Sequence, residues 1–538
     1  MGSRLRSRDI RRQGIAIILT ALMLVFLIPV VGLAIDAGVL YTIKSKLQMS
    51  VDAGAIAAAR TLNKGLTLAE QEGNARAKAA AFFEANFPAG TFGTVGREVT
   101  TSVAESGFRR RTVTVSGTVQ APTYFMRVFG YKFTPVSANG TAARRDVNII
   151  MVMDRSGSMQ SSNSCTPMKT AAKNFVSLFA NHRDRLGIVL FGGTSFVSYP
   201  PRMNFMDSPT ISASIDTISC TGSTSSAQAL WQGYQQIVNI NEPGVLNILL
   251  FFTDGLPNGI TAAFPIKKLQ DTRYGYGVNS TSSAPPNGNA SNLEQFNSTS
   301  TQYTMWPSPC VHVNTAVHPT YQQTWQRNHL GQTFLPSSPN PAWNPPDVVG
   351  QISQGASFAA TGNTGGLRQP YAISATSYNE SAIVTSGTTG CRFRSSANYM
   401  RRDIAFIPEY DLFGNATRAY VPVETFTASG HPYQGRIRPD KPSSIGSAGK
   451  NAAYNAALRA RQDTRLQPVV YSIGLGNPND PNPNEQPDLD FLRRVSNDQT
   501  SPEFDENMPE GLFVYAPDNT QLNSAFVRIA SEILRIAN

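Results

Sequence analysis

The residues best suited to chemistry in this chain follow two apolar runs. Asp154, Ser156 and Ser158 form the pattern D-x-S-x-S directly after the first run, and Asp254 follows the second. Such runs are typical of buried parallel strands, and open α/β sheets bind ligands beyond the carboxyl ends of their strands. The sequence therefore places these oxygen-bearing side chains where a ligand site is expected.

A third segment, Cys220 to Leu230, consists mostly of small polar residues and places Thr224 at the start of a predicted helix. One carboxylate and two hydroxyls spaced two residues apart can converge on one hard cation, because Mg²⁺ prefers octahedral oxygen ligands and keeps some water. The pattern predicts a Mg²⁺ site, with Mn²⁺ as the other candidate. The alternative is a structural loop, since Ser and Asp are also good helix N-caps.

The order D-x-S-x-S, then Thr224, then a strand ending in T-D-G at Asp254 resembles the metal-ion-dependent adhesion site of von Willebrand factor type A domains. The resemblance implies that Ser156, Ser158 and Thr224 are hydroxyl ligands. It implies that Asp154 and Asp254 hold the cation largely through water, and that one coordination position stays open for a partner's carboxylate.

The sequence around the motif agrees with that fold. Helical and strand patterns alternate from residue 166 to 252 and again from 451 to 536, which favours a parallel sheet with helices on both faces. Between Leu256 and about Pro442 the composition turns to Asn, Ser, Thr, Gly and Pro, which predicts a loop-rich, β-containing insertion. It leaves the sheet after Asp254, so we expect it to shape partner choice at the metal; an inert surface decoration is the alternative.

The amino-terminal region predicts one membrane span. Residues 14–35 are uncharged and almost all apolar, which suffices to cross the roughly 30 Å hydrocarbon core as a helix. Five arginines precede the run, so the positive-inside rule places residue 1 in the cytoplasm and the bulk of the chain outside. A cleaved signal peptide is the competing interpretation, and the length of the run favours a retained anchor.

Beyond the span the helical pattern continues to about Leu62, and a capping box at Thr67 and Glu70 begins a second helix. Alternating valines around residues 105–107 then predict a hairpin. A membrane helix that continues into a helical stalk and a small sheet is a pilin-like arrangement.

A second resemblance rests on this region. Arg12-Gln13-Gly14, the apolar run, the stretch GLAIDAGVLY from Gly32 and the stretch LQMSVDAGAIAAA from Leu47 resemble the amino-terminal segment of TadG-type pilus-assembly proteins of bacterial tight-adherence (Flp) systems. The two resemblances predict an α/β, Rossmann-like von Willebrand factor type A domain with a large insertion, preceded by one transmembrane helix and a small pilin-like α+β stalk. The predicted segments are a cytoplasmic basic tail (1–13), a transmembrane helix (14–36), the stalk (37–145), the first part of the type A domain (146–255), the insertion (256–442) and the second part (443–538).

Four cysteines form an even set, as in an exported protein: Cys165, Cys220, Cys310 and Cys391. In the type A fold, Cys165 opens the helix after the first metal loop and Cys220 shortly precedes Thr224. The resemblance therefore implies that these two pair, which leaves Cys310 with Cys391. Four buried free thiols are the alternative.

Other activities find little support in the sequence. The formal net charge of +10 is spread thinly and no groove-reading motif accompanies it, so we expect no nucleic-acid partner. The S-x-x-K at Ser447 has no supporting motif, so we expect neither an enzyme nor a catalytic residue.

Two functional classes remain. The first is a binding protein in the bacterial inner membrane that assembles or anchors a Flp-type pilus by engaging pilus or envelope proteins that offer an acidic residue. The second is a minor pilin-like structural subunit or surface adhesin in which the metal is mainly structural.

Overall fold

The computed structural model describes residues 6–193, 195–265, 348–353, 406–427, 429, 433–439, 441–480 and 486–537. Only the backbone is described for residues 6–18, 348–351, 263, 353 and 442. The chain divides into two compact units, Met1–Arg145 with Ile536–Asn538, and Asp146–Arg535. The bounds of the six segments predicted from the sequence stay predictions.

Helix α1 (Arg6–Thr61) runs through the predicted span and into the stalk, with Pro29 inside it. Within the described residues it is the one helix long and apolar enough to cross a membrane. Most side chains between Leu19 and Ile35 are exposed. Further along, one face is buried at three- and four-residue intervals: Ile43, Leu47, Val51, Ala55 and Ala58.

That face packs against a second helix and a three-stranded antiparallel sheet. These elements are α2 (Leu68–Asn86), β1 (Val95–Gly107), β2 (Arg110–Pro122) and β3 (Phe133–Arg145). Alternate residues of β2 are buried, so the helices cover one face of the sheet. The predicted stalk, a helical layer on a small sheet, is therefore present.

Two local predictions in this unit can be compared with the structure. The capping box at the start of α2 is confirmed, because the Thr67 hydroxyl accepts the Glu70 N–H while the Glu70 carboxylate accepts the Thr67 N–H. The hairpin is confirmed too, but its turn falls at Phe108 and Arg109 rather than at 105–107. Pairing continues to Gly107, and the left-handed φ of 52° at Arg109 reverses the chain.

The second unit is an α/β structure. Its strands are β4 (Val147–Asp154), β5 (Arg185–Phe191), β6 (Ser195–Arg202), β7 (Leu246–Thr253), β8 (Gly259–Phe264), β9 (Val348–Ser353), β10 (Val469–Leu475) and β11 (Phe513–Ala516). Its helices are α3 (Gly157–Ser161), α4 (Cys165–Val176), α5 (Ile211–Asp216), α6 (Ser226–Ile240), α7 (Pro442–Arg461), α8 (Leu489–Ser496) and α9 (Asn519–Ala537).

Six strands form one sheet in the order β11-β10-β7-β4-β5-β6, parallel except for β6. Successive β7 side chains pack on opposite faces. Phe251 stacks on Phe191 at 5.7 Å between ring centroids, within a core that includes α6, α7 and α8. Phe252 lies 5.7 Å from Phe526 of α9, which also contacts Phe175 of α4. Helices therefore cover both faces, and the predicted α/β fold is confirmed.

The strand order reverses beside β4. The chain passes from β4 to β5 and β6 on one side, and later to β7, β10 and β11 on the other. The carboxyl ends of β4 and β7 are thus neighbours at the topological switch point, where ligands bind in such sheets. The edge strand β6 was not predicted; it holds Pro200 and Pro201, which an edge tolerates because half of its N–H groups need no partner strand.

The insertion is described only in part. Strand β8 begins a few residues after Asp254 and pairs antiparallel with β9. These strands agree with the predicted β content, whereas residues 266–347 and 354–405 lie outside the described part of the chain. The expected role of the insertion in partner choice stays a prediction.

Candidate metal centre

Asp154 lies at the end of β4 and is completely buried. Its Oδ1 accepts the N–H of Ser156 at 2.7 Å. Its Oδ2 accepts the hydroxyl of Thr253, the last residue of β7, at 2.5 Å. These bonds orient the carboxylate and join the ends of the two central strands.

Asp254 receives the hydroxyls of the D-x-S-x-S loop. Ser158 Oγ donates to Asp254 Oδ1 at 2.7 Å, Ser156 Oγ lies 3.4 Å from the same oxygen, and the two serine oxygens are 2.8 Å apart. Ser156 is the N-cap of the short helix α3, so the chain turns directly after β4. Four of the five predicted ligands therefore form one cluster of oxygen atoms.

Thr224 is brought to the same edge by its backbone. The N–H of Gly157 donates to the carbonyl of Gly222 at 2.8 Å, so the segment carrying Thr224 runs beside the D-x-S-x-S loop. The Thr224 N–H donates to Asn258 Oδ1 at 2.7 Å, and the Asn258 N–H returns a bond to the Thr224 carbonyl at 3.0 Å. Thr224 is buried, and all three predicted segments meet here.

Close backbone packing and a disulfide hold the third segment. The N–H of Thr221 donates to the carbonyl of Arg155 at 2.6 Å, and a Cβ at Gly192 would lie 2.6 Å from the Thr221 carbonyl oxygen, so position 192 requires glycine. The predicted disulfide Cys165–Cys220 is present. The predicted pair of Cys310 and Cys391 lies outside the described residues.

The two carboxylates of the cluster are electrostatically strained. Burial raises the pKa of Asp154 to about 6, against the opposing effect of the hydrogen bonds from Thr253 and Ser156. Burial and the negative charge of Asp154 raise the pKa of Asp254 well above its usual range. A positive charge placed between the two carboxylates would relieve both effects.

The donor set fits a hard divalent cation. Hydroxyl and carboxylate oxygens suit Mg²⁺ and Mn²⁺, whereas softer metals favour sulfur and imidazole ligands. Across the described ranges, no group of three or more His, Cys, Asp or Glu side chains is arranged so that it could hold a metal ion. A metal in this cluster would therefore depend on the hydroxyls as well as the two carboxylates.

The sequence interpretation missed two residues of this neighbourhood. Thr253 is visible within T-D-G, but its hydroxyl bond to Asp154 depends on β4 and β7 being adjacent. Asn258 lies beyond the motif, and its bond to Thr224 spans 34 residues. Both contacts are created by the tertiary fold and leave no local sequence pattern.

Two family models match separate parts of the chain. Residues 149–256 match the model of the von Willebrand factor type A domain. Residues 14–61 match the model described as Flp pilus-assembly TadE/G-like. Both resemblances drawn from the sequence are confirmed. No curated protein matches the chain.

Several solved pilus proteins are similar to the chain in structure. The von Willebrand domain of the type V pili tip protein Mfa5 from Porphyromonas gingivalis is 14% identical, with a TM-score of 0.30, over 74% of this chain and 98% of that one. The PilB minor pilin from Streptococcus sanguinis is 12% identical, with a TM-score of 0.32, over 83% of this chain and 79% of that one. The pilus adhesin SpaC from Lactobacillus rhamnosus GG is 12% identical, with a TM-score of 0.33, over 82% of this chain and 35% of its own. The chain thus spans about a third of the length of SpaC.

Proposed function

We propose that this chain, with a von Willebrand factor type A domain behind a TadE/G-like amino-terminal segment, is a membrane-anchored, metal-dependent binding protein in the assembly or anchoring of a Flp-type pilus. Its metal ligands are Asp154, Ser156, Ser158, Thr224 and Asp254. The partner is a pilus or envelope protein that offers an acidic residue.

The observation that carries the proposal is the oxygen cluster at the switch point of the sheet. Ser158 and Ser156 surround Asp254, while Asp154 is held by Thr253 and by the Ser156 N–H. A bound Mg²⁺ or Mn²⁺ would supply a Lewis-acidic centre for an incoming carboxylate. The hydroxyls are neutral ligands, so they leave most of the positive charge for the partner. In this proposal the arrangement binds a ligand, and none of its residues has a catalytic role.

The proposed location follows from the amino-terminal region. Helix α1 is long and apolar enough to cross a membrane, and the arginines before it favour a cytoplasmic amino terminus in the inner membrane. The type A domain then faces the periplasm or the exterior. The Cys165–Cys220 disulfide agrees with an oxidising compartment.

A capture experiment tests the binding function. The full chain in detergent is immobilised and exposed to envelope extract, and captured pilus subunits are identified by mass spectrometry. We expect capture in Mg²⁺, and loss of capture with chelator or with the variant Asp254→Ala.

A matched control separates the metal centre from the surrounding surface. Thr166 carries an exposed hydroxyl near the start of α4, close in sequence to the metal loop, so Thr166→Ala should capture like the unsubstituted chain. Capture that is equal with and without Mg²⁺, or unchanged in Asp254→Ala, would contradict a metal-dependent contact.

A second candidate function is a minor pilin-like subunit or adhesin with a structural metal. It is favoured by the packing of α1 on α2 and the antiparallel sheet, a helix-on-sheet unit of pilin type. Fractionation separates the two functions. A chain that stays in the inner membrane when pili are sheared off supports the binding protein, whereas a chain that leaves with the pili supports the subunit.

A further inference from the structure

The connection between β2 and β3 exposes an unusual set of apolar side chains. This β2–β3 loop (residues 123–132) reads TYFMRVFGYK and contains a short 3-10 helix, Met126–Phe129. Val128 is 80% exposed, and Phe129 and Tyr131 are each 62% exposed. Clusters of exposed apolar residues mark interaction or membrane surfaces in soluble domains.

The loop is attached to α1 at a defined place. The Asp36 carboxylate accepts the backbone N–H groups of Tyr124, Phe125 and Met126 at 2.7 to 3.2 Å, and Asp36 itself is buried. One turn earlier on α1, a Cβ at Gly32 would lie 2.2 Å from the Phe125 ring, so the ring packs directly on the helix backbone. These contacts fix the height of the loop along α1.

That height coincides with the end of the apolar run. Gly32 lies inside the run and Ile35 ends it, so the Phe125 ring packs on the last turn of the run, about 4.5 Å along the axis before Ile35 at 1.5 Å per residue. At this level the hydrocarbon core of a membrane gives way to the headgroups. Tyr and Trp are enriched at that interface because each combines an apolar ring with a polar hydroxyl or N–H group. Tyr131 is of this kind, and Val128 and Phe129 add apolar surface.

The charges of the loop agree with this level. Arg127 and Lys132 are exposed, and residues 123–133 contain no Asp or Glu. Basic side chains among aromatic ones favour a surface that offers both acyl chains and anionic headgroups. A water-facing protein partner would explain the apolar groups but not their position beside the membrane helix.

We propose that the β2–β3 loop inserts Val128, Phe129 and Tyr131 into the headgroup layer on the non-cytoplasmic side of the membrane that α1 spans. The inference rests on the proposed anchoring of α1. The loop gives the stalk a second contact with lipid, and Asp36 couples that contact to the helix.

Depth-dependent quenching in vesicles tests the proposal. The full chain is reconstituted into phosphatidylcholine vesicles containing a minor fraction of phosphatidylglycerol, and a nitrobenzoxadiazole label is attached to one added cysteine. The three positions are Leu27→Cys in the span, Val128→Cys in the loop, and Phe108→Cys in the β1–β2 turn at the opposite end of β2. Phe108 is 69% exposed, which matches the exposure of the loop. The unsubstituted chain, labelled in the same way, supplies the background of the native cysteines.

Lipids with a nitroxide high on the acyl chain serve as the quencher. We expect the label at 128 to be quenched several-fold more than the label at 108, and the label at 27 to be quenched as well. A label at 128 that is quenched no more than that at 108, while 27 is quenched, overturns the loop insertion and leaves the anchor intact. An unquenched label at 27 overturns the anchor and the insertion together. The label at 128 could instead show a blue-shifted emission without quenching, with a blue shift that grows as the protein-to-lipid ratio rises. That result would overturn lipid as the occupant and would indicate that a second copy of this chain covers the loop.

Discussion

Asp36 and Asp154 are both buried carboxylates, but they are satisfied in different ways. Asp36 accepts three backbone N–H groups from one short segment of the stalk unit. Asp154 accepts one backbone N–H and one hydroxyl, and its negative charge acts on a second buried carboxylate, Asp254.

We interpret this difference as the one between a structural contact and a candidate ligand site. Backbone N–H groups are donors that cannot turn away, so a carboxylate surrounded by them holds its segment in place. Hydroxyls can donate to a carboxylate or present lone pairs to a cation. A divalent cation would therefore stabilise a pair of buried carboxylates lined by hydroxyls, whereas Asp36 is already satisfied by its hydrogen bonds.

The largest effect is expected from removing a carboxylate of the pair. Asp154→Ala should weaken Mg²⁺ or Mn²⁺ binding by at least roughly a hundredfold. The substitution removes one of the two negative charges of the cluster, and it removes the acceptor that holds the Ser156 N–H and the Thr253 hydroxyl. Isothermal titration calorimetry on the full chain in detergent measures the affinity. Asp36→Ala should bind the cation like the unsubstituted chain.

Asp154→Asn guards this test against misfolding. It keeps the side-chain oxygen that accepts the Ser156 N–H, and it removes the charge. Equal cation affinity in the unsubstituted chain and in a folded Asp154→Asn variant would show that Asp154 does not contribute to a cation site.

The disulfide should have the next largest effect. Cys165 and Cys220 are 55 residues apart, and in the chain-entropy model closing such a loop stabilises by roughly 4 kcal/mol. Cys165→Ser with Cys220→Ser should lower the free energy of unfolding by about that amount and should weaken cation binding, since Cys220 anchors the segment of Thr224. Urea unfolding monitored by circular dichroism measures the loss. A reductant that destabilises the double variant as much as the unsubstituted chain would assign the effect to other cysteines.

The sequence predicted one of the two buried carboxylate sites and not the other. The candidate metal centre is assembled from segments that each follow a strand or open a helix. The local pattern and the predicted strand order were therefore enough to predict that Asp154, Ser158 and Asp254 lie close together. Asp36 meets the N–H groups of residues that lie 88 to 90 positions away, and backbone donors carry no side-chain signature. The edge strand β6 was missed for a related reason, since Pro200 and Pro201 argue against a strand until its edge position is known.

The pH dependence of stability should also differ between metal-bound and metal-free protein. Burial raises the pKa of Asp154 to about 6, so its protonated form is favoured in the folded state. Without metal, the contribution of Asp154 to stability is therefore full below about pH 4 and is lost as the pH rises through about 6. A shift of roughly two units corresponds to about 3 kcal/mol. Saturating Mg²⁺ should remove this loss, because the cation stabilises the ionised pair.

Urea unfolding between pH 4.5 and 7.5, with chelator or with Mg²⁺, measures this difference. Asp411 is also buried, and its pKa is raised to about 7, so its contribution is lost over an overlapping range. The contribution of Asp411 does not depend on Mg²⁺. The difference between the stability curves measured with chelator and with Mg²⁺ therefore reports on the Asp154 and Asp254 pair alone. A difference that persists in Asp154→Asn combined with Asp254→Asn would argue against this assignment.

The smallest effect is expected at Asp36. Asp36→Ala removes the acceptor of three N–H groups, but the freed β2–β3 loop can reach water or headgroups, so the cost falls to about 2 kcal/mol, near the value of one hydrogen bond to a charged group. The loop contains Arg127 and Lys132, so limited trypsin digestion of the full chain in detergent reports its opening directly. We expect cleavage at these two sites to accelerate by tens of fold. Asp52→Ala, which removes an exposed carboxylate from the same helix, should leave the rate unchanged. Equal rates in Asp36→Ala and Asp52→Ala would show that Asp36 does not hold the loop on α1, and the contrast between a structural carboxylate and a ligand-binding pair would fail.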